Sequence, residues 1–379
     1  MSKTLAGAQR PWPSGGQHVD GLPSRMRAVT FERFGGPEVL SIHEVDTPEL
    51  GPGEVAIRVA AVSVGRLLDV RARSGTHPYA KIELPHVLGA EHAGTVAAVG
   101  AGVESVRVGD HVAVFPNLSC GACETCLAGS TEACGTARVM GVHTWGAYAD
   151  YTVVPQQNVF AVPDGIGPEE AAALALSGPV AQNQFDESGL VPGEWVLVYG
   201  ASSALGSLTA ALAVHCGARV IAASRSAAKR GRLLALRADA VIDPTNPDFA
   251  EQVREETGGK GVDLVVDNLG DPAIWLRTAE ILGVRGRVVT SGAFLGGRVE
   301  LDLLTLYSRS QRIIGVRSGN LRSARRLWDA VADGFRPVMD RAYPISQAVD
   351  AHHYLEGYAN TGRVVLTTAD DDWTAAATA

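Results

Sequence analysis

At 379 residues the chain is too long for one ordinary hydrophobic core, and 46% hydrophobic residues with 43 glycines describe a globular, loop-rich protein of two domains. Its net charge of -8, without any block of lysine or arginine, argues against nucleic acid or anionic membrane as a partner and leaves a small molecule. No apolar run approaches the roughly 20 residues of a membrane span, and the first residues lack the apolar core of a signal peptide, so a cytoplasmic protein is expected.

Residues 1–25, with Pro11, Pro13, Gly15 and Gly16 and no periodic apolar pattern, read as a flexible tail. From Met26 short alternating runs predict strands at Arg27-Ala-Val-Thr-Phe31, Glu54-Val-Ala-Ile-Arg-Val59, Gly94-Thr-Val-Ala-Ala-Val99, His111-Val-Ala-Val-Phe115 and Ala149-Asp-Tyr-Thr-Val-Val154, separated by glycine and proline turns. Inside this β-rich region Cys120, Cys123, Cys126 and Cys134 follow the spacing C-x2-C-x2-C-x7-C. Four thiolates so close form a tetrahedral cage for one zinc ion, and a metal held by four sulfurs has no vacant position for substrate, so the site is structural. Two disulfides or metal-free thiols are the competing readings; neither suits such spacing in a chain without a secretory signal.

The pattern changes near Pro168, where Glu169-Glu-Ala-Ala-Ala-Leu-Ala-Leu176 opens a helix with acidic residues in its first turn. Val/Ile runs beginning at Trp195, Arg219, Ala240, Leu264, Gly286 and Arg312 then alternate with helical segments, the signature of a parallel sheet covered on both faces. The first run is followed by Gly200-Ala201-Ser202-Ser203-Ala204-Leu205-Gly206 and a helix, so backbone amides at the helix start can face the pyrophosphate of a dinucleotide. The next run ends in Ser224-Arg225-Ser226, with Lys229 four residues beyond Arg225, where an NAD site usually carries a carboxylate. That cationic, hydroxylic composition accepts a 2'-phosphate and favours NADPH. Helices are predicted at Ser323 to Asp333 and around Gln347 to Glu356, a strand at Arg363-Val-Val-Leu366, and a short acidic tail over residues 369–379.

With these pieces in place the chain resembles the medium-chain dehydrogenase/reductase superfamily, the zinc alcohol dehydrogenases and quinone oxidoreductases, from Met26 to Leu366. Further landmarks are Leu88-Gly-Ala-Glu-His-Ala-Gly94, Val108-Gly-Asp-His-Val112, Gly146-Ala-Tyr-Ala-Asp-Tyr151 and Tyr343-Pro-Ile-Ser-Gln-Ala-Val-Asp-Ala-His352. The resemblance implies an α/β protein: a GroES-like β-rich catalytic domain from residues 26–165 and 317–368, with the zinc lobe at about 117–137, and a doubly wound Rossmann domain over residues 166–316. It implies an active site in the cleft between them, Asn268 and Ser291 beside the nicotinamide and its ribose, Arg363 reaching the pyrophosphate, and a homodimer or homotetramer paired through the Rossmann domain.

The departures from the zinc enzymes carry as much meaning. Ala90 stands where they place a catalytic-zinc histidine, alignment on Asp69 and Gly75 puts Arg66 where they place a cysteine, and Leu174 to Val180 holds neither cysteine nor histidine for the third ligand. Without that Lewis acid, the easier acceptor is a C=C activated by a carbonyl, quinone or iminium, and Arg66 is the residue expected to stabilise the developing charge. Asp69, Glu91 and His92 are the other expected site residues, with Tyr79, His92 and His143 as candidate proton donors. Two alternatives stand beside this reading: an alcohol dehydrogenase whose displaced zinc sits on Asp69, Glu91 and His92, and a non-catalytic NADPH-binding sensor.

Overall fold

The computed structural model describes residues 22–368, so the expected tails lie outside it apart from residues 22–25, where Arg25 already begins the first strand. Ten strands precede the dinucleotide-type region: β1 (Arg25–Phe31), β2 (Ser41–Asp46), β3 (Glu54–Ser63), β4 (His86–Val87), β5 (His92–Val99), β6 (His111–Val114), β7 (Asn117–Leu118), β8 (Arg138–Val139), β9 (Tyr151–Pro155) and β10 (Val159–Ala161). Six follow in the parallel sheet, β11 (Trp195–Tyr199), β12 (Arg219–Ala223), β13 (Ala240–Ile242), β14 (Val262–Val266), β15 (Leu282–Thr290) and β16 (Arg312–Gly315), and two close the chain, β17 (Met339–Pro344) and β18 (Arg363–Thr367).

The first domain is organised around β3, whose Val55, Ala56, Ile57 and Val59 are all buried. β3 pairs with β5, β9 and β18, so the last described strand is hydrogen-bonded into the sheet begun by the first part of the chain. Gly94 on β5 lets the two strands approach closely, because a Cβ there would stand 2.1 Å from the Arg58 carbonyl oxygen.

The parallel sheet has the order β13-β12-β11-β14-β15-β16, and every residue of β11 is buried, as a strand covered on both faces requires. This is the doubly wound order, with its reversal between β11 and β14, and ligands bind outside the carboxyl ends of strands at such a point. The loops leaving those two strands begin at Gly200 and Asp267.

Two expected boundaries move. The helix Pro168–Leu174 packs on β3, β5 and β18 of the first domain, whereas Ser177–Ser188 packs against the parallel-sheet domain, so the chain crosses near residue 176 rather than 166. The helix Leu321–Ala332 packs on Ser177–Ser188, which itself packs on the helix Ala204–His215 and on β15, so the return lies at β17 rather than at 317. An amphipathic stripe shows that a helix has a buried face, but not which sheet covers it.

Candidate active site and zinc lobe

A cleft of about 1430 Å³ runs between the domains. At its cofactor end Gly200 leaves β11 in the left-handed region, φ +62°, and the Ser203 amide donates to the Gly200 carbonyl at 2.8 Å. Ser203 Oγ accepts from the Gly206 amide at 3.0 Å and caps the helix Ala204–His215. A Cβ on Gly206 would lie 2.3 Å from the Gly200 oxygen, so glycine is needed for the tight turn. The capped turn leaves the Ala204 and Leu205 amides at a helix N-terminus for an anion. Ser202, Ser203, Ala204, Leu205 and Gly206 line the cleft; Ala201 does not, being fully buried with its amide on the Ala223 carbonyl.

Ser224, Arg225 and Lys229 line the same end. Ser224 Oγ donates to Ser202 Oγ at 3.2 Å. The Lys229 ammonium donates to the carbonyls of Tyr358 at 2.6 Å and Asn360 at 2.7 Å, which leaves Arg225 as the less engaged cation at this end. Asn268 Oδ1 accepts from the Ser291 amide at 2.9 Å and from Gln184 Nε2 at 2.8 Å, while Ser291 Oγ is buried without a partner. A buried hydroxyl left unpaired is costly, so this one marks a place where a bound molecule supplies the missing hydrogen bond. The turn, the helix start and the orphaned hydroxyl together fit a dinucleotide.

At the other end Arg66 opens a single π-helical turn, Arg66–Val70, closed by the Val70 amide on the Gly65 carbonyl at 3.1 Å. Its Nη2 donates to the Leu355 carbonyl at 2.7 Å and to Asn360 Oδ1 at 2.8 Å, and its guanidinium lies 4.4 Å from the centre of the Tyr358 ring. Nε is buried without a partner, and burial lowers the pKa of the group. Arg66 thus faces the cleft and pairs with the C-terminal segment, not with Asp69.

Three expectations are corrected here. Asp69 is buried, accepts from the amides of Gly65 at 2.6 Å and Gly89 at 2.9 Å, and does not line the cleft; it fixes the loops that carry Arg66 and Glu91. His92 is fully buried in the sheet, with Nε2 on Thr152 Oγ1 at 3.0 Å and Nδ1 on the Ala90 carbonyl at 3.1 Å, so it is a satisfied core histidine. The strand begins only at His92, and Ala90 and Glu91 lie in the bend before it, so a strand's two-residue period does not carry His92 to the side of the chain that Ala90 occupies. Arg363 does not stand free for a pyrophosphate: it is buried in an ion pair with Glu91, and its two terminal nitrogens also donate to Ser63 and Ser177. Glu91 Oε1 accepts from the Ser177 amide at 2.8 Å and hydroxyl at 2.9 Å. Asp69, Glu91 and His92 therefore turn to three different sets of partners.

The four cysteine sulfurs all lie within 4.8 Å of one another, and none is in a disulfide. The Cys120 and Cys126 sulfurs are 3.9 Å apart, against roughly 3.8 Å for two thiolates bound tetrahedrally to zinc. The Cys123 amide donates to Cys120 Sγ at 3.3 Å, as a thiolate ligand requires. Cys120, Cys123, Cys126 and Cys134 would hold the zinc, which supplies cohesion and leaves no position for substrate. Among the described residues they form the one group of three or more His, Cys, Asp or Glu close enough to share an ion. The lobe is also a cleft wall, through Glu132, Ala137 and Val139, and it is tied to the other domain by Asn117 Nδ2 on Ser318 Oγ at 2.8 Å and by the Leu321 amide on Thr131 Oγ1 at 3.1 Å.

A family model for the alcohol dehydrogenase GroES-like domain matches residues 51–164, and one for the zinc-binding dehydrogenases matches residues 204–333. L-threonine 3-dehydrogenase of Pyrococcus furiosus is 34% identical over 336 residues, which cover 85% of this chain and 93% of the relative. The chain belongs to the medium-chain dehydrogenase/reductase superfamily. A solved NAD-dependent alcohol dehydrogenase superposes with a TM-score of 0.83 at 37% identity, covering 90% of this chain and 100% of that one. A 2-haloacrylate reductase of a Burkholderia species is 29% identical over 374 residues, covering 90% of this chain and 98% of the relative. This member of the superfamily is an oxidoreductase with a nicotinamide cofactor and a zinc-type cysteine cluster. No helix among its described residues is long and apolar enough to cross a membrane.

Three buried groups of this dehydrogenase/reductase set an acid response. Burial holds His92 down at about 4 and His352 at about 3, and lifts Asp69 to about 7. Between pH 4 and 6.5 the unfolded chain protonates both imidazoles while the native one does not, and the native chain keeps one proton on Asp69 that the unfolded chain has lost. The unfolded state then binds one proton more, so these groups make stability fall by roughly 1.4 kcal/mol per unit as pH drops from 6.5 to 4. His352 shares a hydrogen bond with the Tyr148 hydroxyl at 3.1 Å, which glutamine can keep. In His352→Gln the difference in unfolding free energy between pH 6.5 and pH 5 is expected to shrink by about 2 kcal/mol. An unchanged difference, measured by urea titration at both pH values, would remove His352 from the response.

Proposed function

We propose that the protein is an NADPH-dependent reductase that transfers hydride to an activated C=C of an enone, quinone, enoyl or iminium-type acceptor without a catalytic zinc. The observation that carries this reading is Arg66, a cation reaching the cleft from the position where the zinc enzymes place a ligand cysteine, with Nε buried and unpaired. Ala90 and the segment through Ser177 add no ligand, and Ser177 is engaged by Glu91. The name of the 2-haloacrylate reductase relative points the same way. Preference for NADPH is supported by Ser224 and Arg225 at the end of β12, where no carboxylate is present to repel a 2'-phosphate.

When bound, the cofactor supplies a hydride. The β-carbon of the acceptor gains that hydride and the π pair moves to the carbonyl oxygen; the enolate pair then returns to the α-carbon, which takes up a proton from solvent, so one hydride and one proton complete the saturated product. Arg66 donates N–H bonds to the oxygen as its charge develops, in a cleft partly shielded from water. Steady-state assays with NADPH and NADH against an enone, a quinone and a simple alcohol test the reading. Enone or quinone reduction should prefer NADPH, and Arg66→Ala should lower kcat by about 10²–10³ with NADPH affinity unchanged. Chelator-sensitive alcohol oxidation without enone reduction would instead support the substituted zinc dehydrogenase, and full activity in Arg66→Ala would remove Arg66 from the chemistry.

A further inference from the structure

The chain carries a net charge of -8, yet the cleft is lined by Arg66, Arg71, Arg225, Lys229, Arg317 and Arg363 against only Glu91 and Glu132. Most of these cations are accounted for. Arg363 is neutralised by Glu91, Arg225 and Lys229 line the end at β12, and Arg66 is the cation given above to the carbonyl oxygen of the acceptor. Arg71 and Arg317 remain, and neither forms an ion pair among the described residues. Arg71 rests with its guanidinium 5.4 Å from the centre of the Phe294 ring, on the opposite domain.

Two imidazoles line the same region. His77 Nδ1 accepts from the Tyr79 amide at 3.4 Å and His143 Nδ1 accepts from the Val139 amide at 3.1 Å, so in each ring the N–H is on Nε2. His77 Nε2 is buried and has no partner. Burial first, then the neighbouring His143 and Arg71, hold the His77 imidazole below its usual value, so it is a neutral donor near pH 7. For His143 burial again comes first, and Arg138 and Arg317 add to it, which places Arg317 within electrostatic reach of the same corner. Glu132, with Oε2 buried and unpaired, is the one facing carboxylate not already engaged by a cation.

Guanidinium groups donate and cannot accept, and both rings present N–H groups here. A ligand that satisfies this corner must supply acceptors and negative charge. We propose that the acceptor reduced in this cleft carries a carboxylate, held by Arg71 and the His77 Nε2–H, with Arg317 and His143 on the adjoining wall. The proposal rests on the C=C reductase reading and narrows its substrate to small unsaturated carboxylates.

The test uses the zinc-loaded full chain with NADPH, and trans-4-oxopent-2-enoate beside its methyl ester, two acceptors with the same enone and different charge. The acid should exceed the ester in kcat/KM by at least about tenfold, mainly through KM, as one charge-assisted hydrogen-bond pair provides. In Arg71→Met that ratio should collapse towards one, and Arg71→Lys should recover part of it. Equal wild-type values, a ratio that survives Arg71→Met, or preference for crotonyl-coenzyme A over the free acid would each overturn the proposal. Binding is read separately from turnover, by calorimetry with levulinate and methyl levulinate on the NADP+-loaded protein. If neither enone is reduced, the reductase reading fails; selective binding of levulinate, weakened about tenfold in Arg71→Met, would then still establish the carboxylate subsite, and no selective binding would sink it.

Discussion

Replacing Arg363 by methionine is expected to cost the folded protein about 3–5 kcal/mol, because it strands the Glu91 carboxylate inside the molecule. Glu91 and Arg363 are 4% and 3% exposed, so water cannot take the place of the lost partner. The pair also stands where three parts of the fold meet: Glu91 at the entry to β5, Arg363 at the start of β18, and Ser177 at the start of the helix that leads into the other domain. Ser177 gives Glu91 both its amide and its hydroxyl, so a carboxylate that moves outward to find water takes the helix start with it. Glu91→Gln should be similarly harmful, for it leaves the guanidinium uncompensated. The double variant Glu91→Gln/Arg363→Met should be markedly less destabilised than the sum of the two, since no lone charge remains. Urea unfolding of the four proteins measures this coupling. Single variants within about 1 kcal/mol of the wild type would show that the pair is solvated and structurally incidental.

The second large effect concerns the cysteine lobe. The wild-type chain should hold one zinc per polypeptide by elemental mass spectrometry, and Cys126→Ser, which removes one of the two buried thiols, should hold almost none. Structural zinc in small sites contributes free energy on the order of 10 kcal/mol to the segment it folds, so the lobe of the variant should open at moderate temperature. Turnover should fall with it, because the lobe contributes Val139, Ala137 and Glu132 to the cleft. Zinc that stays stoichiometric in the variant would place the ion elsewhere, and two zinc ions in the wild type would reopen a catalytic metal.

Strands and helices of this protein were legible wherever burial imposes a period. The Val/Ile runs of β11, β12 and β14 appear where expected, because a strand covered on both faces tolerates little else. The cysteines and the glycine turn were legible for a different reason: their chemistry acts over fifteen residues or fewer, so spacing alone nearly fixes the geometry. The catalytic end was not. Arg66 meets Asn360 across 294 positions and Arg363 meets Glu91 across 272, contacts that exist only because β18 returns to β3. Ser63, Tyr358 and Asn360 carried no local signal. Ser177 lay in a segment noted for lacking a ligand, and its hydroxyl could have been weighed there as a partner for Glu91. His92 is a core residue because the strand starts at that position and carries its ring into the sheet, a boundary that the sequence around Ala90 and Glu91 does not mark.

The chain from Leu355 to Asn360 is gripped from both sides, by Arg66 of one domain at the Leu355 carbonyl and Asn360 side chain, and by Lys229 of the other at the Tyr358 and Asn360 carbonyls. Tyr358 holds a left-handed backbone, φ +54°, within that grip. A chimaera that took its cofactor domain from another member of the superfamily would keep the sheets intact and still lose one hand of this clasp, unless the donor carries a cation one turn into the same helix. Interchangeability of parts in this protein is thus decided less by the two cores than by whether a single ammonium group arrives to close the seam.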